Sequence, residues 1–188
     1  MKENNSKLFH GRPQDPDHIE EENEKPVYDF LDKIGVEYST LCHERAFTME
    51  ECERVREQIG APVFKNLFLT NKQQTQFYLL MMPADKPFKT KYLSSQLGCA
   101  RLSFATPDHM KEFLNISPGA VSPLGLIHDK GNRVNLIVDD QLLDTEAYAC
   151  HPCVNTASVL ISLKDLLEKV ITASGHSFKF VSLPIENL

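Results

Sequence analysis

Residues 63–82 commit this chain to a sheet. Val63-Phe64-Lys65-Asn66-Leu67-Phe68-Leu69 is a run of β-favouring apolar residues interrupted by one cation and one amide, and Gln76 to Met82 is a second apolar run. The polar turn Asn71 to Gln74 separates them and Pro83 ends the second, a pattern that predicts a β-hairpin. Side chains alternate across a strand, so Val63, Lys65, Leu67 and Leu69 share one face while Phe64, Asn66 and Phe68 share the other. An ammonium among apolar neighbours loses several kcal/mol of hydration. Lys65 therefore needs an anion or a cleft, or else it guards an exposed edge and reaches water along it.

Helices and further strands surround the hairpin. Val27, Phe30, Leu31 and Ile34 recur at helical spacing between Pro26 and Gly35, and Val36 to Cys42 suits a strand. Thr48-Met49-Glu50-Glu51 is a capping-box start for a helix that turns Met49, Cys52, Val55 and Ile59 inward and stops at Gly60. Lys86, Lys89 and Lys91 form the most basic short segment, a candidate phosphate patch or a solvated face, leading into a helix that ends near Gly98. Cys99 to Phe104 suits a short strand, and Thr106-Pro107-Asp108 opens a helix with Met110, Phe113 and Leu114 inward. Leu126 to His128 and Arg133 to Val138, around the turn Asp129-Lys130-Gly131-Asn132, predict a second hairpin. Glu146 to Cys150 and Thr156 to Ser162 read as strands. A helix follows with Leu163, Leu166, Leu167 and Val170 inward, then a strand from Phe178 to Leu183. Hairpins mixed with single helices imply an α+β domain with a largely antiparallel or barrel-like sheet, spanning residues 26–188. Residues 1–25 are polar and increasingly acidic, with too little apolar surface to offset ordering, and predict a flexible tail.

The totals narrow the function. A net charge of −6 argues against wrapping a long duplex but leaves room for a local grip on a nucleic-acid end. No run approaches the roughly 18 apolar residues of a membrane span, and the first residues lack the apolar core of a secretory signal. Five cysteines, an odd number at low density, suggest reduced thiols and a cytoplasmic protein. Cys150-x-x-Cys153 has no second ligand pair at zinc spacing and is followed by an extended segment, not the helix start of a thiol-redox pair, so neither a metal nor a cofactor is expected. Serine-hydrolase elbow, phosphate-loop, dinucleotide and His-Glu-x-x-His motifs are all missing from the sequence. Hydrolytic chemistry in such a chain works by positioning and polarising a reactive bond. Two segments suit that work. Ser117-Pro118-Gly119-Ala120-Val121-Ser122-Pro123-Leu124-Gly125 combines stiffness with close backbone approach, and His151, held out of a helix by Pro152, is a candidate base or orienter.

Taken in order, Val63 to Leu69, Ser117 to Leu126 and His151-Pro152-x-x-Asn155-Thr156-Ala157 resemble the YbaK/ProX family, homologues of the prolyl-tRNA synthetase editing domain. Within it the chain is most similar to the Ala-tRNA(Pro) deacylase branch, over roughly residues 26–184. The resemblance implies a mixed fold around a curved, barrel-like sheet, and hydrolysis of the ester joining a wrong amino acid to tRNA. It implies that Lys65 and Asn66 engage the terminal adenosine and its phosphate. Gly119, Ala120, Val121, Ser122, Pro123, Leu124 and Gly125 would form the loop at the scissile ester, with Gly125 in a catalytic place. His151 would border the pocket with Pro152 and Asn155. Family members usually carry glycine and an aromatic before that histidine, where this chain has Ala149 and Cys150, so pocket size is open to change.

Elementary chemistry agrees. An aminoacyl ester is already activated, so it needs orientation and donors where charge develops on the ester oxygen, and loop amides can supply these. Synthetases separate substrates one methylene apart by only about 10–200-fold, which motivates a hydrolytic second sieve. The implied partners are the acceptor 3′ end of a mischarged tRNA and prolyl-tRNA synthetase, with no membrane. Three alternatives stand beside Ala-tRNA(Pro): a deacylase for serine or cysteine on another tRNA, a non-catalytic tRNA- or synthetase-binding regulator, and a thiol-redox protein using Cys150 and Cys153.

Overall fold

A computed structural model describes residues 8–14, 18, 21–45 and 49–185, with backbone alone for residues 49–52. The first elements are β1 (Leu8–His10), α1 (Lys25–Ile34), β2 (Tyr38–Cys42) and α2 (Met49–Ile59). The hairpin β3 (Phe64–Asn71) and β4 (Phe77–Pro83) follows, then α3 (Thr90–Leu97) and β5 (Leu102–Phe104). Next come α4 (Pro107–His109), widening into π-type turns over Met110–Leu114, and a 3-10 helix over Pro123–His128. β6 (Val134–Asp139), β7 (Ala147–Cys150) and β8 (Ala157–Ser162) precede α5 (Leu163–Asp165), which continues through Leu166–Ile171, and β9 (Phe178–Val181).

Two sheets result. One runs β1-β2-β8-β7, antiparallel throughout, and the other runs β5-β3-β4-β6-β9. In the second, β3 is antiparallel to β4 and β5, while β6 is parallel to β4 and β9. The sheets do not close into a barrel. They meet where Val63 bridges Ala149 and the Ala149 N–H donates to the Pro62 carbonyl at 3.1 Å.

The larger core fills the space between the sheets, with Phe68 and Phe77 from the hairpin packed against Phe113, Leu136, Leu166 and Val170. On the other face of β3 and β4, Leu69, Leu80 and Met82 pack with Leu93 of α3 and Ile137. β4 is therefore buried on both faces, which explains why Phe77 to Met82 reads as a continuous apolar run instead of an alternating one. Each such Leu or Met side chain removed from water contributes about 1.5–3 kcal/mol. α1 ends as its sequence predicts, with Gly35 at φ 67° returning its N–H to Asp32 and Leu31 carbonyls. Thr106 caps α4 in a reciprocal pair with His109. Val55 and Ile59 of α2 pack on Leu41 and Ala149, whereas Thr48 and the side chains of Met49 and Cys52 lie outside the described residues.

Three segments differ from expectation. Leu8 to His10 pair with Leu41 to Ser39, so this part of the expected tail is a strand of the first sheet. Leu126 to His128 are not the first half of a hairpin. Pro123 in the first turn and the Ser122 hydroxyl accepting from the Leu124 N–H start a 3-10 helix instead, and β6 pairs with β4 and β9. Lys86 belongs to no phosphate patch: its side chain is 3% exposed and its ammonium pairs with Asp139 at 2.7 Å.

Candidate active site

A cleft of about 270 Å³ opens over the seam between the sheets. Phe64 and Asn66 of β3 form one wall with Val63, and Gly119 and Val121 form a second. Ala149, Cys150 and His151, at the end of β7, complete it with Ser158 of β8. A larger hollow of about 540 Å³ lies beside β1 and β2, where the Tyr38 hydroxyl donates to Asp32 and His10 pairs with Ser39. In the smaller cleft, backbone N–H groups without an internal acceptor among the described residues meet a histidine.

Asn66 enters the cleft because strand alternation turns it away from Lys65. Its amide pairs with the buried Tyr148 hydroxyl at 3.3–3.4 Å, and Tyr148 is in turn stacked on Phe64 with ring centroids 4.5 Å apart. Burial pushes the Tyr148 phenol well above its ordinary pKa, so it stays a neutral partner that orients Asn66.

The loop opposite is shaped by a tight turn. Ala120 N–H donates to the Ser117 carbonyl at 3.1 Å, with Pro118 and Gly119 between them and Gly119 at φ 92°, the arrangement of a type II turn. The N–H groups of Gly119 and Val121 have no internal acceptor among the described residues, and both residues line the cleft. They are donors in waiting.

His151 lines the far wall, and the His43 ring stands behind it with centroids 6.1 Å apart. His151 Nδ1 faces the Ala157 carbonyl at 2.9 Å, so the neutral ring carries its proton there and presents Nε2 as an acceptor. Burial lowers the His151 pKa, partly offset by that carbonyl, while the neighbouring His43 lowers it further. His43 is held by its backbone N–H to the Thr156 carbonyl at 2.9 Å, and its Nε2 lies 3.0 Å from the Ser158 hydroxyl. Burial lowers its pKa too, against the raising effect of the Glu44 and Ala157 carbonyls. Burial pushes the Cys150 thiol up to about 12 and raises Cys153 as well, so both stay protonated, contrary to what a thiol-redox pair requires.

The structure brings Asn66, Gly119, Val121 and His151 together in the cleft, and places the other expected site residues around it. Lys65 lies on the opposite face of β3, half-buried, with its ammonium donating to the Lys86 carbonyl at 2.9 Å. Ala120, Ser122, Pro123, Leu124, Gly125 and Pro152 are buried behind the cleft. Gly125 gives its N–H to the Ser122 carbonyl at 3.1 Å, and a side chain there would meet the Leu114 Cβ at 3.0 Å. Helix packing, not ligand approach, demands that glycine. Asn155 sits beside Gly119, its amide nitrogen 3.6 Å from where a Cβ on Gly119 would stand. Sequence reasoning missed Val63, Phe64, Ser158 and His43. Phe64 was legible from the alternation around Asn66, whereas Val63 falls on the Lys65 face by that alternation, and His43 and Ser158 are 115 positions apart and carry no joint signal.

Residues 43–169 match the model of the aminoacyl-tRNA editing domain. The chain belongs to that family. It is 34% identical over 153 residues to the prolyl-tRNA editing protein ProX of Acetoanaerobium sticklandii, covering 81% of this chain and 93% of that one. It is 32% identical to the prolyl-tRNA synthetase associated domain-containing protein 1 of Danio rerio, over 76% of this chain and 78% of the relative. A solved structure described as a candidate trans-editing enzyme for prolyl tRNA synthetase shares the fold, with a TM-score of 0.67 at 18% identity, covering 89% of this chain and 99% of that one. The activity that goes with the family is hydrolysis of the ester between an amino acid and tRNA. No helix among the described residues is long and apolar enough to cross a membrane.

Proposed function

We propose that this chain deacylates tRNA(Pro) mischarged with alanine, acting in the cytoplasm. One observation carries the reading: Gly119 and Val121, whose N–H groups have no internal acceptor among the described residues, line one small cleft together with His151, whose Nε2 is left as an acceptor. At about 270 Å³ the cleft is smaller than the roughly 300–1,000 Å³ of sites for drug-sized ligands, which suits a small aminoacyl group. Val63, Phe64, Ala149 and Cys150 offer that group apolar contact.

In the step we infer, the ester carbonyl oxygen points at the Gly119 and Val121 amides. Water attacks the carbonyl carbon, His151 Nε2 accepts the water proton, and the amides hold the oxyanion as charge develops. Collapse breaks the bond to the ribose oxygen, which takes the proton as it leaves. No protein nucleophile enters, in keeping with the protonated state of Cys150. Asn66, oriented by Tyr148, holds the ribose side of the ester.

Lys65 and its place opposite the cleft divide two roles. The resemblance gives it the phosphate of the terminal adenosine, whereas its bond to the Lys86 carbonyl gives it a brace between β3 and the segment before α3. A phosphate contact makes the defect of Lys65→Ala salt-dependent, flattening the salt slope by about one. A brace leaves the slope unchanged. The experiment for the function is a panel of aminoacyl-tRNAs including Ala-tRNA(Pro), followed by loss of the ester. Preferred hydrolysis of Ala-tRNA(Pro) is the expected result, and folded protein that cleaves none of them defeats the reading.

A further inference from the structure

The polar atoms of the cleft divide by sign. Gly119 and Val121 carry N–H donors with no internal acceptor among the described residues, while His151 and Ser158, which also line the cleft, carry acceptors with their protons already assigned. His43 Nδ1 faces the Glu44 carbonyl at 2.8 Å, and a carbonyl can only accept, so the neutral ring keeps its proton there. Its Nε2 must then receive the Ser158 hydroxyl proton across 3.0 Å. With that proton given to His43, Ser158 Oγ has only lone pairs left for the cleft it lines. Ser158 is 4% exposed, so bulk water does not freely satisfy them.

A neutral ester has no use for a second acceptor beside the one that handles water. An ammonium has. In an aminoacyl ester the α-amine sits one carbon from the reacting carbonyl, and an α-amino group with an ordinary pKa of about 7.7–8.0 is mostly cationic at neutral pH. We propose that Ser158 Oγ accepts a hydrogen bond from the α-ammonium of the bound aminoacyl group, and that His43 is the positioning residue that makes it an acceptor. Resting on the deacylase reading of this cleft, the assignment adds a specificity element: the enzyme reads the free amine as well as the side chain. Esters whose amine is acylated or replaced lose this contact and leave Ser158 unpaired.

The test compares alanyl-tRNA with 2-hydroxypropionyl-tRNA, in which a hydroxyl replaces the amine, each rate being divided by its uncatalysed rate. The wild-type protein is expected to favour the alanyl ester by about tenfold or more in kcat/KM. Ser158→Ala and His43→Phe should shrink that ratio, mainly through KM of the alanyl ester, and Ser158→Thr should restore it. A wild-type ratio near one overturns the proposal. So does a Ser158→Ala defect equal for both esters, which marks a structural role. Calorimetry with 3′-alanylamido-3′-deoxyadenosine and its hydroxy analogue gives a readout without turnover: tighter binding of the amine form, lost in Ser158→Ala, is expected, and equal affinities refute the assignment. Should folded wild-type protein hydrolyse neither ester, the deacylase reading falls instead.

Discussion

Two histidine-centred clusters in this molecule have opposite characters. Around His176, Nε2 lies 3.1 Å from Asp129, Nδ1 lies 3.0 Å from the Ser174 hydroxyl, and Asp129 also accepts the Val134 N–H at 2.7 Å. The Ser174 hydroxyl donates to the Ile171 carbonyl at 2.7 Å, so a serine, a histidine and an aspartate in series form a closed circuit. Around His151 no carboxylate stands by among the described residues, and Nε2 of that ring and the Gly119 and Val121 amides have no internal partners among them, at a cleft that all three residues line. Residue identity alone would name the first cluster as a catalytic triad. Saturation of its hydrogen bonds shows it to be a staple that joins the turn before β6 to the turn before β9.

The comparison is broken most directly at His151. His151→Ala should lower kcat/KM about 10²–10⁴-fold with little change in thermal midpoint, since the loss is of proton handling. Asp129→Ala should do the reverse, costing roughly 2–5 kcal/mol of stability by leaving buried donors unpaired, with near-normal turnover per folded molecule. Thermal melts beside active-site titration separate the two. Gly125→Ala sharpens the contrast inside the loop: its Cβ meets Leu114 at 3.0 Å, so about 1–3 kcal/mol of stability should go. Equal activity per folded molecule is expected there, because its amide faces Ser122 instead of the cleft. Smallest is the pH effect. Burial sets the folded His151 pKa below the ordinary 6.5, so the active neutral form persists on acidification until below that value. There kcat/KM should drop tenfold per pH unit, about 1.4 kcal/mol each. An acid limb centred above pH 6.5 would contradict the assignment.

The sequence was most legible where local chemistry and packing agree. The β3–β4 hairpin follows from two apolar runs and a polar turn, and α1 from its spacing between Pro26 and Gly35. It was least legible where a partner is distant in sequence. Nothing near Lys86 announces Asp139, 53 positions on, and nothing near Lys65 announces the Lys86 carbonyl that takes its ammonium. The short run Leu124 to Ile127 was ambiguous between strand and helix, and the Ser122-Pro123 pair ahead of it was the signal for the helical turn. Four expected site residues line the cleft, yet the rest of the loop is buried behind it, because a spacing rule cannot say which way a loop faces.

The bond from Ala149 N–H to the Pro62 carbonyl spans the seam on which the cleft rests. Hydrogen–deuterium exchange at that one amide therefore serves as a gauge of how often the two sheets part company. A ligand lodged across the seam would clamp it, so slowed exchange at Ala149, with unchanged rates at the Leu136 amide deep in β6, would report occupancy without any chemistry taking place.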